Sequence, residues 1–84
     1  MKTIFITGAT SGFGKAIAYK FAQHGYQLIL TGRREDRLRT IENELKDQYN
    51  AKVITLPFDV KEKEAAKNAI QSLPHDFKKI DLLV

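Results

Sequence analysis

The chain alternates two hydrophobic patterns: short continuous apolar runs, and longer stretches whose apolar residues recur every three or four positions. The runs are Lys2 to Ile6, Tyr26 to Thr31 centred on Leu28-Ile29-Leu30, Ala51 to Phe58 with Val53, Ile54 and Leu56 inside, and Ile80 to Val84. Runs of this kind predict strands of a parallel sheet covered on both faces. Gly32 ends the second, and Pro57 marks the third as an edge strand or a strand terminus. Between the runs, residues 13–24 carry the stripe Phe13, Ile17, Phe21, with Ala16, Ala18 and Ala22 small enough for close helix–sheet packing. Gly25 is the expected C-cap. Residues 34–49 place Leu38, Ile41, Leu45 and Tyr49 on one face and charges on the other. Lys61 to Leu73 predicts a third helix, packed through Ala65, Ala66, Ala69, Ile70 and Leu73 and blocked from continuing by Pro74.

Strand and helix alternating at this pitch define βαβ units, hence an α/β fold. Right-handed crossovers and the doubly wound rule give a partial Rossmann parallel sheet with strand order 3-2-1-4. There is no internal repeat, low-complexity tract or linker, and residues 1–84 read as one unit. In such sheets a ligand lies beyond the carboxyl ends of the strands, where the order reverses. Three polar features fall there: the loop after the first strand, Arg33-Arg34 after the second, and Asp59-Val60 after the third.

The loop reads Thr7-Gly8-Ala9-Thr10-Ser11-Gly12-Phe13-Gly14. A strand that breaks into a glycine-rich turn and opens a helix offers unpaired N–H groups and a partial positive charge to phosphate. Glycine there serves the sharp turn, the approach of backbone to pyrophosphate, and close packing of helix on strand. A Walker loop is excluded, because its first glycine falls on Ala9 and its hydroxyl on Ala16. The commoner dinucleotide spacing fails too, since Thr10 and Phe13 stand at its second and third glycines. Thr10 and Ser11 are placed either to add hydroxyl contacts to phosphate or ribose, or simply to form the turn.

Cofactor choice is read at the end of the second strand. An NAD site places Asp or Glu about 20 residues past the loop to hold the ribose 2′-hydroxyl. This chain has Thr31-Gly32-Arg33-Arg34. A carboxylate repels a 2′-phosphate, whereas guanidinium forks onto it, so the expectation is NADP. The alternative is two solvated arginines at a helix start, where the macrodipole disfavours cations.

The remaining spacing, Thr-Gly-x3-Gly-x-Gly, resembles the short-chain dehydrogenase/reductase family. Thr-Gly-Arg-Arg, Asp59-Val60 and Ser72-Leu73-Pro74 ahead of Ile80-Asp81-Leu82-Leu83-Val84 are similar to an NADP-dependent subgroup, with Phe13 its distinguishing letter. That subgroup oxidises 3-hydroxy acids such as serine and allo-threonine. The resemblance implies cofactor contacts from Gly8, Ala9, Thr10, Ser11, Gly12, Phe13, Gly14, Arg33, Arg34, Asp59 and Val60. It gives Asp59 the adenine amino group and Val60 a backbone N–H toward adenine; the alternative for Asp59 is capping the following helix. It also implies a small-molecule substrate and a homo-oligomer, commonly a tetramer.

The family works through a Tyr-x3-Lys pair and a Ser. Four places after Tyr19, Tyr26 and Tyr49 stand Gln23, Leu30 and Val53, so no catalytic residue is assigned. The Asn-Asn-Ala-Gly stretch expected after the fourth strand is also missing. The expectation is therefore the N-terminal, cofactor-binding part of a longer NADP-dependent oxidoreductase, inactive by itself. The alternative is a non-catalytic NADP-binding module.

Composition narrows the field further. Eighty-four residues hold at most one small domain. The net charge of +4 is scattered, except for Arg33, Arg34, Arg37 and Arg39. Aromatics are not interleaved with these bases, so no nucleic-acid partner is expected. Without cysteine there are neither disulfides nor thiolate metal sites, and His24 and His75 lack ligand spacing, so no metal is expected. No apolar run approaches the ~20 residues of a membrane span, and the chain starts directly on a strand pattern. No membrane partner and no signal peptide are therefore expected, and a cytoplasmic setting fits.

Overall fold

The computed structural model describes residues 2–58 and 61–84. The apolar runs form the strands β1 (Thr3–Ile6), β2 (Gln27–Gly32), β3 (Val53–Pro57) and β4 (Leu82–Leu83). The periodic stretches form the helices α1 (Gly12–Gln23), α2 (Glu35–Tyr49) and α3 (Lys63–Gln71). The strands are all parallel and ordered β3-β2-β1-β4, as the βαβ pattern predicts. Both β1 and β2 are buried along their full length. This is what a two-sided cover requires, and it explains their lack of polar alternation.

Side chains along each run still divide by the two-residue period of a strand. Ile4, Ile6, Leu28, Leu30 and Val53 pack with Ala18 and Ala22 of α1 and with Leu38, Ile41 and Leu45 of α2. Phe5 and Ile29, paired in register, point the other way, onto Leu73 and Phe77. Phe77 belongs to a 3₁₀ turn, His75–Phe77, that the helical pattern does not anticipate.

The buried face of α1 differs from its expected stripe. Phe13 is 78% exposed and Ala16 is exposed too, whereas Ile17 and Phe21 of the stripe are half-buried against the core and Ala18 and Ala22 are buried at the sheet as expected, with Gly14 beside them. The start of α1 lies so close to the turn that a Cβ at Gly14 would overlap the Gly8 carbonyl oxygen. The helix ends as predicted near Gly25, which has φ +81°. The Gly25 N–H bonds the Ala22 carbonyl, the Tyr26 N–H bonds the Phe21 carbonyl, and the Phe21 and Tyr26 rings meet edge to face at 4.8 Å. That is a Schellman cap with its hydrophobic contact. At the end of α2 the same left-handed conformation falls to Asn50, φ +53°.

The third helical stretch is shorter and less buried than its pattern predicts. It stops at Gln71, has no buried residue, and leaves Ile70 42% exposed. Leu73 does reach the core, but from beyond the helix end. The fourth strand pairs only through Leu82 and Leu83, opposite Ile4 and Phe5, and Leu83 is 74% exposed.

Two polar residues inside the sheet anchor its amino end. Gln27 is 3% exposed; its Nε2 donates to Thr3 Oγ1 at 2.9 Å and to the Asp76 carbonyl at 3.1 Å. The Thr3 N–H donates to the Asp81 carboxylate at 2.8 Å. These bonds tie β1, β2 and the 3₁₀ turn together at the end of the sheet away from the glycine loop.

Candidate functional site

The site begins where β1 runs out of sheet. The Thr7 N–H and hydroxyl both donate to the Val84 carbonyl at 2.9 Å, which fixes the loop against the fourth strand. Gly8 then turns with φ +60°, a left-handed conformation that glycine adopts without strain. Its carbonyl accepts from the Ser11 N–H at 3.0 Å and from the Ser11 hydroxyl at 2.8 Å. Ser11 Oγ in turn accepts from the Gly14 N–H at 3.1 Å, so one serine closes the turn and caps α1. On the other side, the Ala9 N–H donates to the Thr31 carbonyl at 2.9 Å and pins the loop to β2.

These bonds determine which loop atoms face a ligand. Ala9 is fully buried and its amide is engaged by the Thr31 carbonyl. The Gly14 amide is likewise spent on Ser11. Among the described residues, the N–H groups of Thr10, Gly12 and Phe13 have no acceptor. Space outside Gly12 is clear, for a Cβ built there meets no atom within 4 Å. Free donors, open space and the positive end of α1 make the turn a fit for phosphate oxygens.

A second wall comes from the end of β2. Gly32 abuts Thr10: a Cβ there would make van der Waals contact with Thr10 Cγ2 at 3.4 Å. Beyond it the backbone carries Arg33 and Arg34 into the start of α2. A cleft of about 760 Å³ lies between the walls. That is within the span of small-molecule sites, about 300–1,000 Å³. Gly8, Thr10, Ser11, Arg33 and Arg34 all line it, so five sequence-predicted residues converge there. Gly12, Phe13 and Gly14 sit at the first turn of α1, outside that lining. Asp59 and Val60 lie outside the described residues, but Phe58 and Lys61 on either side line the cleft. Arg37 lines it as well, although the sequence pattern assigns it no role. It stands in the first turn of α2, three residues after the N-cap Arg34.

The cleft is electropositive. Arg34 Nε stands 3.7 Å from an Asp36 carboxylate oxygen, with both side chains exposed, a weak pair in water. Arg33 and Arg37 make no ion pair among the described residues.

A parallel sheet with a glycine turn, a helix N-terminus and guanidinium groups at its carboxyl edge is the Rossmann arrangement, the fold of dinucleotide-binding proteins. More narrowly, the chain belongs to the short chain dehydrogenase family, whose profile matches residues 2–84. It is 45% identical to the serine 3-dehydrogenase of Rhizobium radiobacter over 82 residues, 98% of this chain and 31% of that protein. It is 46% identical to sulfoacetaldehyde reductase 2 of Chromohalobacter salexigens over 81 residues, 96% of this chain and 31% of that protein. Among solved structures, the alcohol dehydrogenase of Thermococcus sibiricus complexed with 5-hydroxy-NADP superposes with a TM-score of 0.91 at 35% identity, covering 99% of this chain and 35% of that one. The chain thus spans about a third of the length of these relatives. No helix among the described residues is long and apolar enough to cross a membrane.

Proposed function

We propose that residues 1–84 are the N-terminal part of a single NADP-binding Rossmann domain in an oxidoreductase. That enzyme passes hydride between NADP and an alcohol or 3-hydroxy acid. The observation that carries this reading is the convergence of the glycine turn and the Arg33-Arg34 pair on one cleft. In it, the free amides of Thr10, Gly12 and Phe13 take the pyrophosphate, and Gly8 and Gly14 keep the turn tight enough to present them. Thr10 and Ser11 border the adenosine side, and Arg33 and Arg34 fork onto the 2′-phosphate. Asp59 and Val60 are proposed for adenine by their position after β3. NADP, when bound, supplies the hydride acceptor or donor; the chain itself binds and orients it.

Relatives support the cofactor and reaction type more than the substrate. One is named for serine, another of nearly equal identity for sulfoacetaldehyde, and a third was solved with an NADP derivative. These 84 residues contain no Tyr-x3-Lys pair, so the proton-transfer groups are not among them. A homotetramer in the cytoplasm completes the proposal.

Titrating the protein with NADP and NAD by calorimetry tests it. The expected preference for NADP is at least about tenfold, or about 1.4 kcal/mol. Equal affinities, or tighter NAD, would overturn the assignment.

A further inference from the structure

We propose that Arg37 is a specificity-determining residue of this site, joining Arg33 and Arg34 on the 2′-phosphate of the dinucleotide. The inference rests on the NADP reading above and adds to it a residue outside the Arg33-Arg34 signature.

Placement comes first. Arg37 lines the main cleft, and with Thr10 it also lines an adjoining groove of about 270 Å³ bordered by Lys15, Thr40 and Ile41. Arg37 therefore stands on the rim where the two spaces meet, close to the Thr10 end of the glycine turn. Arg39, two positions on, lines neither.

Charge comes second. The first turn of α2 holds two carboxylates, Glu35 and Asp36. Glu35 lies 3.7 Å from Arg39, and Asp36 lies 3.7 Å from Arg34. Both acids are thus engaged by other arginines, and Arg37 has no ion pair among the described residues. A cation in the first turn of a helix opposes the macrodipole, and three guanidinium groups around one cleft repel one another. A phosphate dianion relieves both penalties. It also has oxygens enough to accept from more than one planar fork, which matters because Arg34 is shared with Asp36.

Two nucleotides isolate the effect: adenosine 2′,5′-bisphosphate and adenosine 5′-diphosphate each carry two phosphates, but only the first carries one at the 2′ position. Calorimetric titration of wild type, Arg37→Gln, Arg37→Lys and Arg39→Gln with both ligands is the experiment. Arg37→Gln is expected to lose about tenfold for the 2′,5′ compound while staying within about twofold for the 5′-diphosphate. Arg37→Lys should fall between, keeping the charge without the fork. Arg39→Gln should match wild type. Arg37 is exposed, so the variants should keep the wild-type melting temperature. The inference is overturned if Arg37→Gln leaves the preference for the 2′,5′ compound intact, weakens both ligands equally, or is matched by Arg39→Gln. A wild-type protein that does not prefer the 2′,5′ compound would instead remove the NADP reading, and this inference with it.

Discussion

Gly14 rests directly on the peptide of Gly8. A Cβ at position 14 would overlap the Gly8 carbonyl oxygen, and it would stand 3.0 Å from the carbonyl carbon and 3.1 Å from Ala9 Cα. These neighbours are backbone of the turn itself, held by Ser11 and Thr31, so they cannot yield without moving the site. Gly12, two residues earlier, has the opposite surroundings, with no atom within 4 Å of a built Cβ. The two glycines therefore fail in different ways. Gly14→Ala should lose about 1–3 kcal/mol of stability by overpacking, and nucleotide binding with it. Gly12→Ala should keep stability within about 0.5 kcal/mol yet lose binding, because its methyl occupies phosphate space. Urea unfolding beside NADP titration checks both; a destabilised Gly12→Ala or a stable Gly14→Ala would contradict the division.

Gln27 interrupts an apolar strand, and hydrophobic patterning alone would favour Leu in its place. The structure argues otherwise, since its buried amide serves the Thr3 hydroxyl and the Asp76 carbonyl. Gln27→Leu strips both of a partner at a position that is 3% exposed. The expected loss is about 1–3 kcal/mol, read as a lower urea midpoint at unchanged slope. A variant as stable as wild type would show that the apolar gain outweighs the two bonds.

Strand order and the positions of α1 and α2 are legible in the sequence because βαβ alternation and apolar runs are global signals, and both β1 and β2 are buried on two faces. The loop is legible because glycines so spaced, between a strand and a helix, suit little besides a close approach to phosphate. What escapes the sequence depends on distances no spacing encodes. Phe13 fits a helical stripe, but the helix turns a Gly14, Ala18, Ala22 face to the sheet because Gly14 sits on Gly8. The third helical stretch is expected to pack through Ile70, yet the core on that face is filled by Leu73 and by Phe77 of a 3₁₀ turn. The polar bonds of Thr3 with Gln27 and Asp81 cross 24 and 78 residues of sequence. Arg37 reads as charge, but its place on the cleft depends on how α2 is rotated.

Charge reversal at the end of β2 tests the proposed cofactor choice from the other side. Arg33 lines the cleft and has no ion pair among the described residues, so its charge is available to a ligand. Arg33→Asp removes one guanidinium and supplies a carboxylate near the place where NAD sites keep one for the ribose hydroxyls. NADP affinity should fall by about a hundredfold while NAD affinity holds or rises. Parallel loss of both nucleotides would mean that Arg33 supports the cleft without reading the 2′ position.

Ser11 combines two roles that substitution can separate. Its Oγ accepts from the Gly14 N–H and donates to the Gly8 carbonyl, and the residue lines the cleft. Ser11→Ala removes the cap and should lower stability by about 0.5–2 kcal/mol. Ser11→Asp restores an acceptor for Gly14 and places a negative charge favourably at the start of α1, so it should recover most of that loss. The same charge stands beside the proposed phosphate position, and NADP affinity should drop further in the Asp variant than in the Ala variant. Stability and affinity then move in opposite directions between two substitutions of one residue. If the Asp variant is the better binder, the loop does not hold phosphate and the anion site must be sought elsewhere.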